Sequence, residues 1–218
     1  MPDAILRSAR WVAAGYMAQV LRPGDCAVDA TMGNGHDTER LAQLVGPEGH
    51  VYAFDIQAQA VESTRARLTE AGLADRVTLI LDSHANMAAH VHQPPRLIAF
   101  NLGFLPGGDK QVTTLLPSTL AAVRAAMDLL LPGGMLLVCC YPGHAEGQRE
   151  LDALREAFAA VPPQAFNILE HRFVNAGPGA PVCFAKFLTA WSMDSAEPES
   201  SPSSLKLRSG IWRMLPSG

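Results

Sequence analysis

The segment Asp29-Ala-Thr-Met-Gly-Asn-Gly35 most restricts what this chain can become. A short apolar run, Cys26-Ala-Val28, leads into it, and a helical pattern opens near Asp37. Strand, glycine-bearing turn and helix start, in that order, form the loop that receives a nucleotide cofactor in open α/β sheets. Gly33 and Gly35 can take positive φ and let a ligand approach the backbone closely. Dinucleotide loops carry three glycines, G-x-G-x-x-G, and this loop lacks the third.

An acidic residue, Asp29, stands at the strand end instead. A carboxylate there repels a pyrophosphate but suits a cationic cofactor. Asp55 closes the next apolar run, His50-Val-Tyr-Ala-Phe-Asp55, about 20 positions beyond Gly35. That is where a carboxylate grips ribose hydroxyls. The pair points to an adenosine cofactor without phosphates, and S-adenosyl-L-methionine, with its sulfonium and ammonium, fits that description.

The rest of the chain repeats the alternation. Strands are expected over 26–31, 50–55, 76–81, 96–101 and 135–141, and near 165–174 and 182–190. Helices are expected over 3–21 with Asp3 as N-cap, over 37–45 and 57–71, briefly from Ser83, and over 117–130 and 146–160. The predicted class is α/β, a doubly wound, mostly parallel, seven-stranded sheet with helices on both faces. The loop over 175–181 is too short for a parallel crossover, so the last strands should be antiparallel.

A chain of 218 residues, 48% of them hydrophobic, fits one such domain. Residues 1–190 are expected to form it, with the N-terminal helix inside 1–21. From about Ser192 the Ser-, Pro- and Glu-rich composition reads as a disordered tail over 191–218. Arg7 and Arg10 before an apolar stretch resemble a signal sequence, but the helical spacing of Ile5, Ala9, Val12, Tyr16 and Val20 argues for an amphipathic helix. No run is long enough to span a bilayer, so no membrane partner and a cytoplasmic location are expected. Cys26, Cys139, Cys140 and Cys183 form no C-x-x-C pair and read as reduced buried thiols, and no metal is expected. The net charge of −4 is no basic footprint for nucleic acid, although a local patch can act against it.

Ligands in such sheets bind beyond the carboxyl ends of the strands. Asp29, Asp55, Asp82-Ser83-His84 and Asn101 all stand at strand ends and should converge on one crevice. Thr31, Gly33, Asn34, Gly35, Asp37 and Gln57 accompany them as candidate cofactor contacts. Asn101-Leu-Gly-Phe104 resembles the Asn/Asp-Pro-Pro-Tyr/Phe turn of many amine methyltransferases, with Leu102 and Gly103 in place of the prolines. There the Asn oxygen and a backbone carbonyl accept hydrogens from the target amine, and the ring packs on the substrate. Leu105-Pro-Gly-Gly-Asp-Lys110 forms a polar lip beyond it. His144 and Glu146, after the fifth strand, read equally as substrate contacts or as a helix cap.

Asp29–Asp37, Ala53–Gln57, Ser83-His84, Phe100–Lys110 and Tyr141-x-Gly-His144 together resemble a bacterial family within the class I S-adenosylmethionine-dependent methyltransferases. It was first labelled as rRNA methylases and is now associated with tRNA. The resemblance covers about residues 20–185. It implies methylation of the amine of 5-aminomethyl-(2-thio)uridine at the tRNA wobble position, giving 5-methylaminomethyl-(2-thio)uridine. Asn101 would be catalytic and Asp109 a general base. Gly103, Phe104, Leu105, Pro106, Lys110, His144 and Asn175 would contact the tRNA, with Lys110 on a phosphate. Phe104 stands where the family usually has Tyr, and Ala176–Pro181 departs from the family pattern. An N-methyltransferase of a small-molecule or protein amine, or of rRNA, is the alternative. A nicotinamide-dependent oxidoreductase is opposed by the missing glycine and the Asn101 turn. A homodimer is left open.

Overall fold

The computed structural model describes residues 8–109, 111–163 and 166–188. Asp3, Ile5, Lys110 and the expected tail lie outside the described residues. The chain runs α1 (Ala9–Val20), β1 (Cys26–Asp29), α2 (His36–Val45), β2 (His50–Asp55), α3 (Ala58–Glu70), β3 (Val77–Leu81), α4 (Met87–His90), β4 (Leu97–Asn101), α5 (Leu116–Leu129), β5 (Met135–Cys140), α6 (Ala145–Ala159), β6 (Phe166–His171) and β7 (Val182–Leu188). The strands form one sheet in the order β3-β2-β1-β4-β5-β7-β6. The first five are parallel, and β7 runs antiparallel between β5 and β6.

Alternation along each strand builds two cores. Val28, Phe54, Ile98, Phe100, Leu136 and Val138 face α4, α5 and α6. Ala27, Val51, Leu97, Ala99, Leu137 and Cys139 face α1, α2 and α3. Chain order reverses between β1 and β4, so the crevice opens beyond their carboxyl ends. The alternation also sends Cys26, Cys139, Cys140 and Cys183 into the interior as unpaired thiols.

Two boundaries differ from expectation, each for a local reason. Helix α1 begins at Ala9 and is capped at Ser8, whose hydroxyl accepts from the Trp11 N–H at 3.3 Å. Strand β1 stops at Asp29 because the Thr31 N–H turns back onto the Asp29 carboxylate at 3.1 Å. The last two strands are antiparallel as expected, with β7 lying beside β5, where Cys139 pairs with Cys183. No helix among the described residues is long and apolar enough to cross a membrane.

The loop after β1 depends on one glycine. Gly35 has φ of 78°, and a Cβ there would lie 3.0 Å from Thr64 Cα on α3. Thr64 is fully buried and donates to the Gly33 carbonyl at 3.0 Å. Gly35→Ala therefore combines left-handed strain with a backbone clash. It should cost about 2 kcal/mol or more, read as a lower urea midpoint at unchanged slope.

Candidate functional site

The strand ends enclose a cleft of about 550 Å³, a size that suits a nucleoside-sized ligand. One wall is the loop from Ala30 to Asn34, followed by Asp55–Gln57 and Asp82–His84. The other is the turn from Asn101 to Pro106, with Val112–Leu115 behind it and Tyr141 and Arg10 at the side.

The two strand-end aspartates differ in place. Asp55 lines the cleft, with Oδ2 accepting from the Gly33 N–H at 3.1 Å and Oδ1 from the Gln57 N–H at 2.9 Å. Asp29 does not reach the cleft. It is 2% exposed and lies under the loop, where its oxygens accept from the Thr31 N–H at 3.1 Å and the Thr38 hydroxyl at 2.6 Å. Burial first, then neighbouring Asp37, raises its pKa to about 7. Asp29 thus shapes the loop from below, and a direct part in attracting a cation is not supported by its position. Gly35 is likewise buried beneath the loop. Asn34 lines the cleft and ties the loop to the far wall, its Nδ2 donating to the Pro106 carbonyl at 3.1 Å.

At the third strand's end, Ser83 accepts from the Ala85 N–H at 3.2 Å. His84 Nδ1 lies 3.1 Å from the Ala30 carbonyl. A carbonyl only accepts, so Nδ1 carries the hydrogen. Burial lowers the pKa of His84, which keeps the ring neutral and makes Nε2 an acceptor. That Nε2 is buried in the protein without a partner.

Asn101 is held at two points. Its backbone N–H donates to Thr31 Oγ1 at 2.7 Å, and its Nδ2 donates to Asp37 Oδ2 at 3.2 Å. Asp37 Oδ1 in turn pairs with Arg10 at 3.0 Å. Only the amide nitrogen can donate to a carboxylate, so the amide orientation follows. Oδ1 is left buried with no partner in the protein, on a residue that lines the cleft. A buried acceptor left unpaired costs about 1–3 kcal/mol, so the site is built to receive a donor from a ligand.

The turn beyond Asn101 is clamped from behind. The Gly103 N–H donates to Thr114 Oγ1 at 2.9 Å, and the Thr114 N–H donates to the Gly103 carbonyl at 3.0 Å. The Thr114 hydroxyl donates to Glu150 Oε2 at 2.9 Å, and Thr119 donates to Oε1 at 2.5 Å. Glu150 is 1% exposed, and burial raises its pKa against the pull of those two hydroxyls. Since Gly103 N–H and Leu102 C=O belong to one planar trans peptide, the clamp also fixes the direction of the Leu102 carbonyl.

The remaining expected contacts divide. Gly103, Phe104, Leu105 and Pro106 line the cleft. Asp109 is exposed and away from it, and its Oδ1 accepts from the Gln111 N–H at 2.9 Å as a turn residue. Lys110 is outside the described residues. His144 caps α6, with Nδ1 accepting from the Gly147 N–H at 3.1 Å, and its ring packs 6.0 Å from that of Phe104. Glu146 accepts from the Leu116 N–H at 2.9 Å at the start of α5. Asn175 is exposed on the loop before β7 and does not line the cleft. Arg10, Tyr141 and the Thr114–Glu150 pair were not expected. Arg10 reads as the solvated face of an amphipathic helix, and Tyr141 as part of a strand.

The cleft's carboxylate at the β2 end, its close-approach glycine loop and its buried polar atoms without a partner, Asn101 Oδ1, His84 Nε2 and Thr113 Oγ1, fit an adenosine cofactor bearing hydroxyl and amino donors. Fold and site together define a class I, S-adenosylmethionine-dependent methyltransferase. Residues 51–186 match the family described as "Putative rRNA methylase", and the chain belongs to that family. It is 37% identical over 191 residues to the tRNA (mnm(5)s(2)U34)-methyltransferase, chloroplastic, of Arabidopsis thaliana, covering 83% of this chain and 69% of that protein. A solved structure of the same family description, from Clostridium thermocellum, superposes with a TM-score of 0.82 at 36% identity, covering 84% of this chain and 99% of its own. SMU.1697c of Streptococcus mutans, solved in complex with SAH, gives a TM-score of 0.76 at 32% identity with coverage of 84% and 99%.

Asp29 yields a pH test. Its folded pKa, about 7, lies above the unfolded value of about 3.9. The folded state then binds the extra proton, and stability falls as pH rises between those values. Asp29→Asn removes this dependence. The stability of the variant relative to wild type should rise from about pH 4 to 7 and level off above, measured by urea unfolding across that range. A pH-independent difference would contradict the assignment.

Proposed function

We propose that this chain methylates the exocyclic amine of 5-aminomethyl-(2-thio)uridine at the wobble position of tRNA, giving the 5-methylaminomethyl product. The observation that carries the reading is the Asn101 carbonyl oxygen, buried, unpaired and fixed in direction by Asp37. The name of the Arabidopsis relative supports the choice of substrate. In this reading the methyltransferase domain spans residues 1–190, with 191–218 appended.

Bound S-adenosylmethionine would supply an electrophilic methyl on a cationic sulfur. Asp55 would hold the ribose hydroxyls. Thr31, Gly33, Asn34, Gln57, Ser83 and His84 would line the rest of the cofactor, while Asp29 and Gly35 shape the loop beneath it. Asn101 Oδ1 would accept a hydrogen from the amine, with the Leu102 carbonyl as second acceptor. The nitrogen lone pair then faces the methyl. A new N–C bond forms as the S–C bond breaks, and the secondary ammonium product loses its proton to water.

A primary aliphatic amine has a pKa on the order of 10, so its neutral form at pH 7 costs about 4 kcal/mol. The apolar walls at Leu102, Phe104 and Leu105 would desolvate the ammonium, and the neighbouring cationic sulfur would oppose it further. Both lower the amine's pKa. Much of the remaining gain comes from holding two reactants in line. No carboxylate is assigned as base, since Asp109 is turned away from the cleft.

Two measurements test the reading. Digested bulk tRNA from a strain lacking the protein should accumulate the unmethylated aminomethyluridine by mass spectrometry. An unchanged tRNA profile beside a missing rRNA methyl group would overturn it in favour of the family description. Asn101→Ala should lower kcat by about 100-fold or more while the cofactor Kd, measured by calorimetry, stays within about twofold. Loss of cofactor binding would remove Asn101 from the amine and place it on the cofactor.

A further inference from the structure

A second concavity, of about 410 Å³, opens on the outer face of α1 and is lined by Ser8, Arg10, Trp11, Ala14, Gly15, Asp37 and Arg40. Arg10 and Asp37 line the main cleft as well, so groove and cleft share the ion pair that braces Asn101. The groove therefore adjoins the cleft at the residues that orient Asn101.

Its surface has the chemistry of a single-stranded nucleic-acid seat. Trp11 is 46% exposed, a large flat ring on the surface of a helix. The floor at Gly15 is open, with no atom within 4 Å of the place a Cβ would take. Arg40 is exposed and forms no hydrogen bond or ion pair among the described residues. The carboxylates nearby are already engaged. Asp37 is held by Arg10 and Asn101, and Glu39 by Arg67 at 3.0 Å. A chain of net charge −4 thus presents, next to its reactive centre, a stacking ring and an unneutralised guanidinium. Aromatic stacking with a cation on the backbone is how unpaired nucleotides are held without sequence readout.

We propose that the α1 groove seats a nucleotide flanking the target uridine, its base stacked on Trp11 and its phosphate on Arg40. The inference rests on the tRNA reading above and names the surface that such a substrate would use. A polymer whose base enters the cleft must leave along the protein surface, and the groove borders the cleft at Arg10 and Asp37.

The test uses the full chain, with the anticodon stem-loop carrying 5-aminomethyluridine as probe. Trp11→Ala and Arg40→Ala change exposed residues, and their melting temperatures should match wild type. Each should raise KM for the stem-loop about tenfold while kcat at saturation and the cofactor Kd stay within about twofold. Arg40→Ala should also lower the slope of log K against log salt by about 0.7, the loss of one single-strand phosphate contact. Trp11→Phe should restore most of the affinity. If wild type methylates the stem-loop and the variants bind it equally well, the groove assignment is wrong and the tRNA reading stands. If wild type neither binds nor methylates the stem-loop, both fail. If the variants instead convert a dimer to monomers in sedimentation, the groove is a contact between copies and the proposal is overturned.

Discussion

Asp37, at the second position of α2, decides which way the Asn101 amide faces. Without an acceptor for Nδ2 the amide could rotate, and the oxygen would have no defined direction. Arg10 holds the other carboxylate oxygen, so the aspartate is braced from the N-terminal helix while it braces the fourth strand. One carboxylate joins three elements far apart in sequence. The site's directionality depends on it more than on any residue that would touch substrate.

The supports around it follow the same logic. Asp29 spends both oxygens on the loop and on Thr38, which holds the β1–α2 turn rigid enough for Thr31 to receive the Asn101 N–H. Glu150 orients Thr114, and Thr114 grips both polar groups of Gly103. Buried hydrogen-bonded acids of this kind cost desolvation and are retained where geometry matters. Here one of them supports the β1–α2 turn and the other the turn after Asn101. Asn101 Oδ1 and His84 Nε2, with the Thr113 hydroxyl, are left over in the cleft for a ligand to satisfy.

Much of this was legible in the sequence because it is local. The alternation of apolar runs with glycine-punctuated helices reports period and turn chemistry, which neighbouring residues determine. Asp55 and Asn101 were readable because a strand's last residue must project toward the crevice. Asp29 looked equivalent but is drawn under the loop by Thr31 and Thr38, a choice made by side-chain hydrogen bonds that spacing does not encode. Asp109 follows the active strand closely, yet its own turn with Gln111 points it outward. Arg10 and Glu150 lie 91 and 49 positions from Asn101, and only the packing of α1 and α6 brings them to the site. The insertion of β7 beside β5 is likewise a long-range pairing that the short preceding loop permits but does not require.

The central claim is that Asn101 presents a carbonyl oxygen to an amine at the point of methyl transfer. Its most direct test is a crystal structure with an S-adenosylmethionine analogue that carries an amine in place of the transferable methyl. The account predicts Asn101 Oδ1 within about 3 Å of that amine, a hydrogen-bonding distance, with Nδ2 still on Asp37. An amide rotated away from the analogue, or its nitrogen facing the amine, would contradict it.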